Sequence, residues 1–214
     1  MTGGSPGRGP RFRPGQPAHT LAVIACGALA ADIRQIAARR EWPVEVHPLP
    51  AILHNRPERI APAVAEAARA LQARGLQVAL GYADCGSYGA LDELCGQLGI
   101  TRLSGLHCYD VLGGSQRIRA LLAGEPGTYL LTDFLVRSFR TTVLTALGLD
   151  RHPELWGDYF GKYHRLVWLA QHGTPLLAEQ AAEIAGMFGL PLHTIEVGTG
   201  RLERQLAKLV DGTA

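Results

Sequence analysis

Leu21-Ala22-Val23-Ile24-Ala25-Cys26-Gly27 is an apolar run that stops at a cysteine and a glycine. Short apolar runs of this kind, closed by a turn-forming residue, are typical of β-strands. The next residues, 28–39, carry apolar side chains at helical spacing and predict a helix. A strand that leads at once into a helix is the first half of a βαβ unit.

The same alternation continues to the end of the chain. Further strands are predicted at 44–47, 76–82, 102–106, 128–131, 165–170 and 192–197, and helices at 57–74, 88–98, 115–123, 134–147, 175–188 and 201–210. Strands that alternate with helices form parallel βαβ units, so we predict an α/β fold with helices on both faces of its sheet.

The turn Gly-Glu-Pro-Gly at 124–127 is the densest break in this pattern. It predicts two Rossmann-like lobes with a cleft between them, rather than one sheet. We therefore expect a first α/β lobe over 19–125 and a second over 126–214. Residues 1–18 are rich in Gly, Pro and Arg without periodicity, and we expect a disordered tail.

Composition and charge exclude several classes of protein. The net charge is +2, and three arginines stand in the first 20 residues without any acidic residue, so the rest carries about −1. A near-neutral body argues against a nucleic-acid surface. No apolar run approaches the ~20 residues that span a membrane, and the N-terminus lacks the apolar region of a secretory signal. With four irregularly spaced cysteines, these features favour a reducing cytoplasm.

Three cysteines stand where predicted strands end. Cys26 closes the first strand, Cys85 follows the strand at 76–82, and Cys108 follows the strand at 102–106. Ligands of α/β sheets gather outside the carboxyl ends of the strands, so these thiols are expected to converge. Three thiolates and one open position predict a [4Fe–4S] cluster or a Zn²⁺ site that activates a substrate.

Two alternatives remain for these cysteines: three buried, unconnected thiols, or a redox-sensing pair within disulfide range. Gly27 and Gly86 follow Cys26 and Cys85, and predicted helices begin just beyond both. The positive ends of those helices are expected to lower the thiol pKa values and favour thiolates. Cys95 lies mid-helix among leucines and is interpreted as a packing residue.

Asp84, His107 and Asp133 are the candidate proton-transfer residues. Asp84 precedes Cys85, His107 precedes Cys108, and Asp133 ends the strand at 128–131. The alternative for Asp133 is an N-cap of the following helix. The alternative for His107, and likewise for the nearby His54, is a histidine of the surface or core.

Motifs along the chain resemble a known family. They are Ala25-Cys26-Gly27, Leu53-His54-Asn55-Arg56-Pro57, Tyr82-Ala83-Asp84-Cys85-Gly86, His107-Cys108-Tyr109-Asp110 and Leu131-Thr132-Asp133-Phe134-Leu135. The chain resembles, over about 21–202, the bacterial and archaeal family filed as domain of unknown function 1638. Members of that family are often encoded beside corrinoid-dependent methyltransferases, which implies a role in methyl-group or corrinoid metabolism. The family pattern has Glu where this chain has Asp110.

We therefore expect a metalloenzyme that acts on a small-molecule substrate by elimination, hydrolysis, or sulfur or methyl transfer. The alternative is a non-catalytic accessory protein that binds a corrinoid or a metal, with a corrinoid protein or methyltransferase as partner. Its cleft would be lined by aromatic side chains, namely Tyr82, Tyr88, Tyr109, Trp156 and Tyr159.

Overall fold

The computed structural model describes residues 20–212, and these form two three-stranded parallel sheets flanked by helices. The first sheet holds β1 (Leu21–Cys26), β2 (Val44–Leu49) and β3 (Gln77–Gly81) in the order β2-β1-β3. The central strand β1 is buried along its whole length. Pro48, which lacks an N–H group, is tolerated because β2 is an edge strand.

The second sheet holds β4 (Thr128–Thr132), β5 (Arg165–Ala170) and β6 (Leu192–Glu196) in that order. Every strand pair in both sheets is parallel. The prediction of an α/β fold built from parallel βαβ units is therefore confirmed. The cleft between two lobes stays a prediction.

Nine α-helices connect and cover the strands of the described part. They are α1 (Ala30–Arg39), α2 (Ile60–Ala73), α3 (Ala90–Leu98), α4 (Cys108–Gly113), α5 (Ser115–Gly124), α6 (Asp133–Phe139), α7 (Trp156–Phe160), α8 (Pro175–Phe188) and α9 (Gly200–Asp211). A π-helical segment, Arg140–Thr145, continues α6. Short 3₁₀ turns lie at Ala51–Asn55, Pro57–Arg59 and Pro153–Leu155.

The strand predicted at 102–106 is wrong. Only one isolated bridge, between Leu80 and Arg102, forms there, so residues 20–212 contain six named strands rather than seven. The Arg102 guanidinium donates to the carbonyl oxygens of Leu103 and Gly105, and Gly105 has a positive φ of 128°, so the segment bends before a longer ladder forms. Cys108 consequently opens helix α4, which the sequence did not predict, instead of following a strand.

The helices do not divide between the sheets in the order of the chain. Leu202, Leu206 and Leu209 of α9 pack in the core of the first sheet, although they belong to the predicted second lobe. Ile118 of α5 packs on the second sheet, although it precedes residue 125. The domain boundaries themselves stay a prediction, and the predicted tail 1–18 lies outside the described residues.

No helix within residues 20–212 is both long enough and apolar enough to cross a membrane.

Candidate functional site

The first sheet places Cys26 beside Tyr82 at its carboxyl edge. Ala25 and Gly81 are the last register partners of the parallel pair β1–β3, and Cys26 and Tyr82 directly follow them in the chain. The two groups lie within electrostatic range of each other, since Cys26 acts on the pKa of Tyr82. Both are fully buried. The edge of the sheet thus carries a thiol and a phenol side by side.

His54 reaches the same point from the turn after β2. A Cβ on Gly27 would lie 2.9 Å from the Leu49 carbonyl oxygen and 3.0 Å from the Ala51 nitrogen, so only glycine lets this backbone pass so closely. His54 Nδ1–H donates to the Ala51 carbonyl oxygen at 2.8 Å. The lone pair of Nε2 is thereby left to face Cys26 Sγ, at 3.8 Å.

Cys85 lies in a strained loop that Asp84 organises. The Asp84 carboxylate accepts hydrogen bonds from Ser87 Oγ and from the N–H groups of Tyr88 and Gly89, at 2.8, 3.2 and 3.0 Å. Cys85 and Tyr88 adopt left-handed conformations, with φ of 54° and 52°. Such conformations in non-glycine residues cost energy and cluster at functional sites.

Two backbone hydrogen bonds join the loop of Cys85 to the segment before Cys108. Asp84 N–H donates to the Gly105 carbonyl oxygen at 3.0 Å, and Cys85 N–H donates to that of Leu106 at 2.7 Å. Leu106 N–H in turn donates to the Asp110 carboxylate at 2.8 Å. Asp110 therefore holds the turn that leads into α4 and Cys108.

The three thiols lie within electrostatic range of one another. Burial raises the pKa of Cys26 to about 11. Burial, and next the neighbouring Cys26, raise the pKa of Cys85 to about 12. Cys108 is half-buried as a residue. Burial of its thiol is the largest cause that raises its pKa, and the neighbouring Cys26 and Cys85 are the next causes. The structure thus brings the three predicted cysteines into one neighbourhood, and their role as ligands stays a prediction.

The predicted lowering of these pKa values is wrong. The N–H groups of Ala28 and Leu29, just before α1, do lower the pKa of Cys26, as expected near a helix N-terminus. Desolvation outweighs them, because a thiolate buried among apolar side chains loses its hydration. The thiols are therefore protonated near neutral pH, and binding a metal would have to displace their protons.

A preformed ligand set is not present. Among residues 20–212, no three side chains of His, Cys, Asp or Glu stand together in a geometry that could hold a metal ion. Cys95 lies apart from the other thiols, in α3, where it packs in the core of the first sheet. Burial raises its pKa, and the charged groups that act on it are Arg102 and Asp92.

The predicted catalytic carboxylates are both engaged in holding backbone. Burial by itself would raise the pKa of Asp84, but the hydrogen bonds of Gly89, Ser87 and Tyr88 lower it, so Asp84 is a weak base. Asp133 is the first residue of α6, just after β4, and its carboxylate accepts from the N–H groups of Gln171 and His172 as well as from Trp168 Nε1–H at 2.9 Å. The N-cap of α6 is Thr132 rather than Asp133, whose side chain makes no such cap.

His107 is exposed, and its ring lies 6.4 Å from that of Tyr109. Both residues line a surface cavity of about 250 Å³ together with Tyr129 and Tyr163. His107 is therefore next to Cys108 in the chain, but its side chain lines this separate, aromatic cavity. Its role as a proton-transfer residue stays a prediction.

Sequence reasoning missed Tyr82 as a site residue. Its ring stacks on that of His54, with centroids 6.2 Å apart, and its buried hydroxyl has no hydrogen-bond partner. Burial, and then Cys26 and Cys85, raise the pKa of Tyr82. Its position directly after β3, one residue beyond the register pair of Ala25 and Gly81, is the signal that could have identified it.

The aromatic cleft expected of an accessory protein does not form as predicted. Tyr82 lies in the core of the first sheet, whereas Trp156 packs against Phe160 and Phe188 on the second sheet. Tyr88 is 96% exposed. These side chains therefore do not line a common surface.

Searches of curated proteins and of solved structures returned no match. A family model matches residues 48–206, a range that contains Cys85 and Cys108 and begins after Cys26. Because this range covers well over half of the sequence, the chain belongs to the family described as Protein of unknown function (DUF1638).

Proposed function

We propose that the chain is a cytoplasmic metalloenzyme in which Cys26, Cys85 and Cys108 bind a [4Fe–4S] cluster or Zn²⁺ and leave one coordination position open. The observation that carries this proposal is the placement of the thiols: Cys26 closes β1 with His54 Nε2 at 3.8 Å, and two backbone hydrogen bonds tie the loop of Cys85 to the turn before Cys108. The direction of the pKa shifts, in which Cys26 acts on Cys85 and Cys108, supports it. A small substrate would bind at the open position and undergo elimination, hydrolysis, or sulfur or methyl transfer.

The donor set fits either group, because soft thiolates are the preferred ligands of iron–sulfur clusters and of zinc. When bound, the metal would supply Lewis-acid polarisation of the substrate. The protein's part is to hold and deprotonate the ligands. N–H groups of Ala28 and Leu29 stabilise a Cys26 thiolate, and His54 Nε2 lies where it can accept the thiol proton.

The test is metal content after anaerobic purification and reconstitution with iron and sulfide, or with zinc, followed by optical and EPR spectroscopy. Replacement of Cys26, Cys85 or Cys108 by Ser should each remove most of the bound metal. Cys95→Ser is the matched control, since it changes a buried thiol of the same core, and it should retain full loading. Equal loss in all four variants, or no metal in the wild type, would contradict the proposal.

A second candidate is an accessory protein that holds a metal or a corrinoid without catalysis, and His54 favours it. Bonds of about 2.3 Å to sulfur and 2.0 Å to nitrogen place two ligands of a tetrahedral Zn²⁺ roughly 3.6 Å apart. The Cys26–His54 separation of 3.8 Å is close to this value. His54 as fourth ligand would close the site and leave no position for a substrate.

Exposed apolar side chains around the thiols also suit an accessory protein. Ile52, Tyr88 and Leu106 are 49%, 96% and 60% exposed, and they stand two or three residues from His54, Cys85 and Cys108 in the chain. Exposed apolar groups that form one patch are typical of surfaces that bind another protein. A corrinoid protein or methyltransferase would be the partner.

His54→Ala distinguishes the two candidates within the same metal-binding experiment. For an open enzyme site, the variant should still bind the metal at wild-type stoichiometry, because the three thiolates remain. For a closed site, it should lose metal affinity by 10-fold or more, the range expected when a ligand is removed. If the His54→Ala variant keeps its metal affinity, His54 is not the fourth ligand, and this argument for the accessory function fails.

A further inference from the structure

Tyr82 carries a buried donor that the protein itself does not use. Its side chain is fully buried, and its hydroxyl has no hydrogen-bond partner. Buried polar groups are almost always paired, because an unpaired one has lost its hydrogen bonds to water without replacement. Phenylalanine would fill the same space without this cost, so packing alone does not account for the hydroxyl.

The surroundings of Tyr82 consist of the candidate metal ligands. Tyr82 and Cys26 each follow the last register partners of β1–β3, Gly81 and Ala25, and the His54 ring stacks on the Tyr82 ring with an interplanar angle of 11°. Cys85 follows it by three residues in the chain. Of the described polar groups at this edge, none accepts its proton: His54 Nε2 faces Cys26, and the Asp84 carboxylate is taken up by its own loop.

We propose that Tyr82 is a positioning residue whose hydroxyl donates a hydrogen bond to a small ligand in the open coordination position. The ligand class is a molecule that presents an anionic oxygen or sulfur atom to the metal, because such an atom keeps lone pairs that accept from the phenol. This inference rests on the proposed function. The hydroxyl would favour anionic ligands, which the negative charge of three thiolates alone would disfavour.

The test compares wild type with Tyr82→Phe, both loaded with the metal that the wild type binds, or with Co²⁺ in place of zinc for its absorption. Acetate and hydrosulfide are titrated as anionic probes, and imidazole as a neutral probe that offers no acceptor to the phenol. Tyr82→Phe should bind the metal as wild type does. It should bind the anions about 10- to 100-fold more weakly and imidazole equally well.

Unfolding of the metal-free proteins gives an independent measurement. Tyr82→Phe should be at least as stable as wild type, because it removes an unpaired hydroxyl. Tyr109→Phe is the matched control: its hydroxyl donates to the Leu130 carbonyl oxygen at 3.4 Å, so this variant should lose stability.

Each outcome bears on a different statement. Wild-type protein that binds no metal overturns the proposed function and this inference with it. Metal-loaded protein with unchanged anion affinity in Tyr82→Phe overturns the inference alone. A clear loss of stability in metal-free Tyr82→Phe would also overturn it, since the hydroxyl would then have a structural partner.

Discussion

At the scale of single residues, the thiols experience two opposing effects. Backbone N–H groups near helix α1 favour a Cys26 thiolate, while burial favours the neutral thiol, and burial is the larger effect. The helix contributes a partial charge over a short range, whereas desolvation acts on the whole charge of the anion. Cys26 and Cys85 are therefore kept as thiols near neutral pH, and a metal that binds them would have to displace their protons.

This balance predicts that the metal-free protein loses stability at alkaline pH. The folded-state pKa of Cys26, about 11, is raised above its ordinary value of 9.0. For an acid shifted in this direction, the stabilisation is complete below pH 9 and is lost as the pH rises through 11, because only the unfolded chain ionises in that window. Unfolding by urea should show it between pH 8 and pH 11.

The variant Cys26→Ala isolates the contribution of this thiol. Its unfolding free energy should fall less steeply between pH 9 and pH 11 than that of wild type, by on the order of 2 kcal/mol at the upper end. Ile24→Val in the same strand, which removes a methyl group and no titrating group, should run parallel to wild type. If the curve for Cys26→Ala also runs parallel to that of wild type, the pKa of the Cys26 thiol is not raised in the folded protein.

At the scale of elements, Asp133 connects helix α6 to the end of strand β5. Its buried carboxylate accepts from Trp168 Nε1–H and from the N–H groups of Gln171 and His172, and its own N–H donates to Gln171 Oε1. Three donors at a strand end are thus satisfied by one side chain. The predicted catalytic role has to compete with this structural one, which leaves the carboxylate few free lone pairs.

We expect Asp133→Ala to destabilise the protein by on the order of 3 kcal/mol, because buried donors lose their acceptor. Metal loading of the folded protein should be unchanged. Asp158→Ala, at an exposed carboxylate of α7, is the control and should change stability by less than about 0.5 kcal/mol. Thermal unfolding with metal analysis measures both; a stable Asp133→Ala would contradict the structural role.

At the scale of the whole molecule, the two sheets are held together by elements that cross between them. His172, just after β5, contacts Asp32 of α1 at 2.9 Å. Helix α9 follows the last strand of the second sheet and packs on the first, where Glu203 forms ion pairs with Arg39 and Arg40 of α1. The first sheet thus depends on residues from the end of the chain.

Leu206→Ala should therefore weaken the first sheet, although Leu206 lies far from the strands of that sheet in the sequence. Leu206 is fully buried, and truncation at such positions costs about 2–5 kcal/mol. Leu176→Ala, at a 63% exposed position, should be close to neutral. Urea unfolding with hydrogen exchange should show that Leu206→Ala lowers amide protection in β1; protection lost only in β6 would contradict this arrangement.

The sequence alone predicts the α/β class, the six strands and seven of the nine α-helices of the described residues. It also predicts the grouping of Cys26, Cys85 and Cys108 apart from Cys95, and the role of these three as a ligand set stays a prediction. These follow from local patterns: apolar runs, helical spacing, and glycines at turns, which act within a few residues. The strand at 102–106 failed because the segment bends at Gly105, whose φ is 128°, and Leu106 N–H then binds the Asp110 carboxylate, features that no apolar pattern records.

Three features become visible only in the folded protein. The thiols are protonated, the carboxylates of Asp84 and Asp133 hold backbone N–H groups, and the hydroxyl of Tyr82 is unpaired. The tertiary structure also decided that α9 covers the first sheet rather than its own. Each of these depends on burial and on hydrogen-bond partners far away in the chain, as Trp168 and His172 are from Asp133. Desolvation and pairing are properties of the packed interior, so residue types and spacing alone do not reveal them.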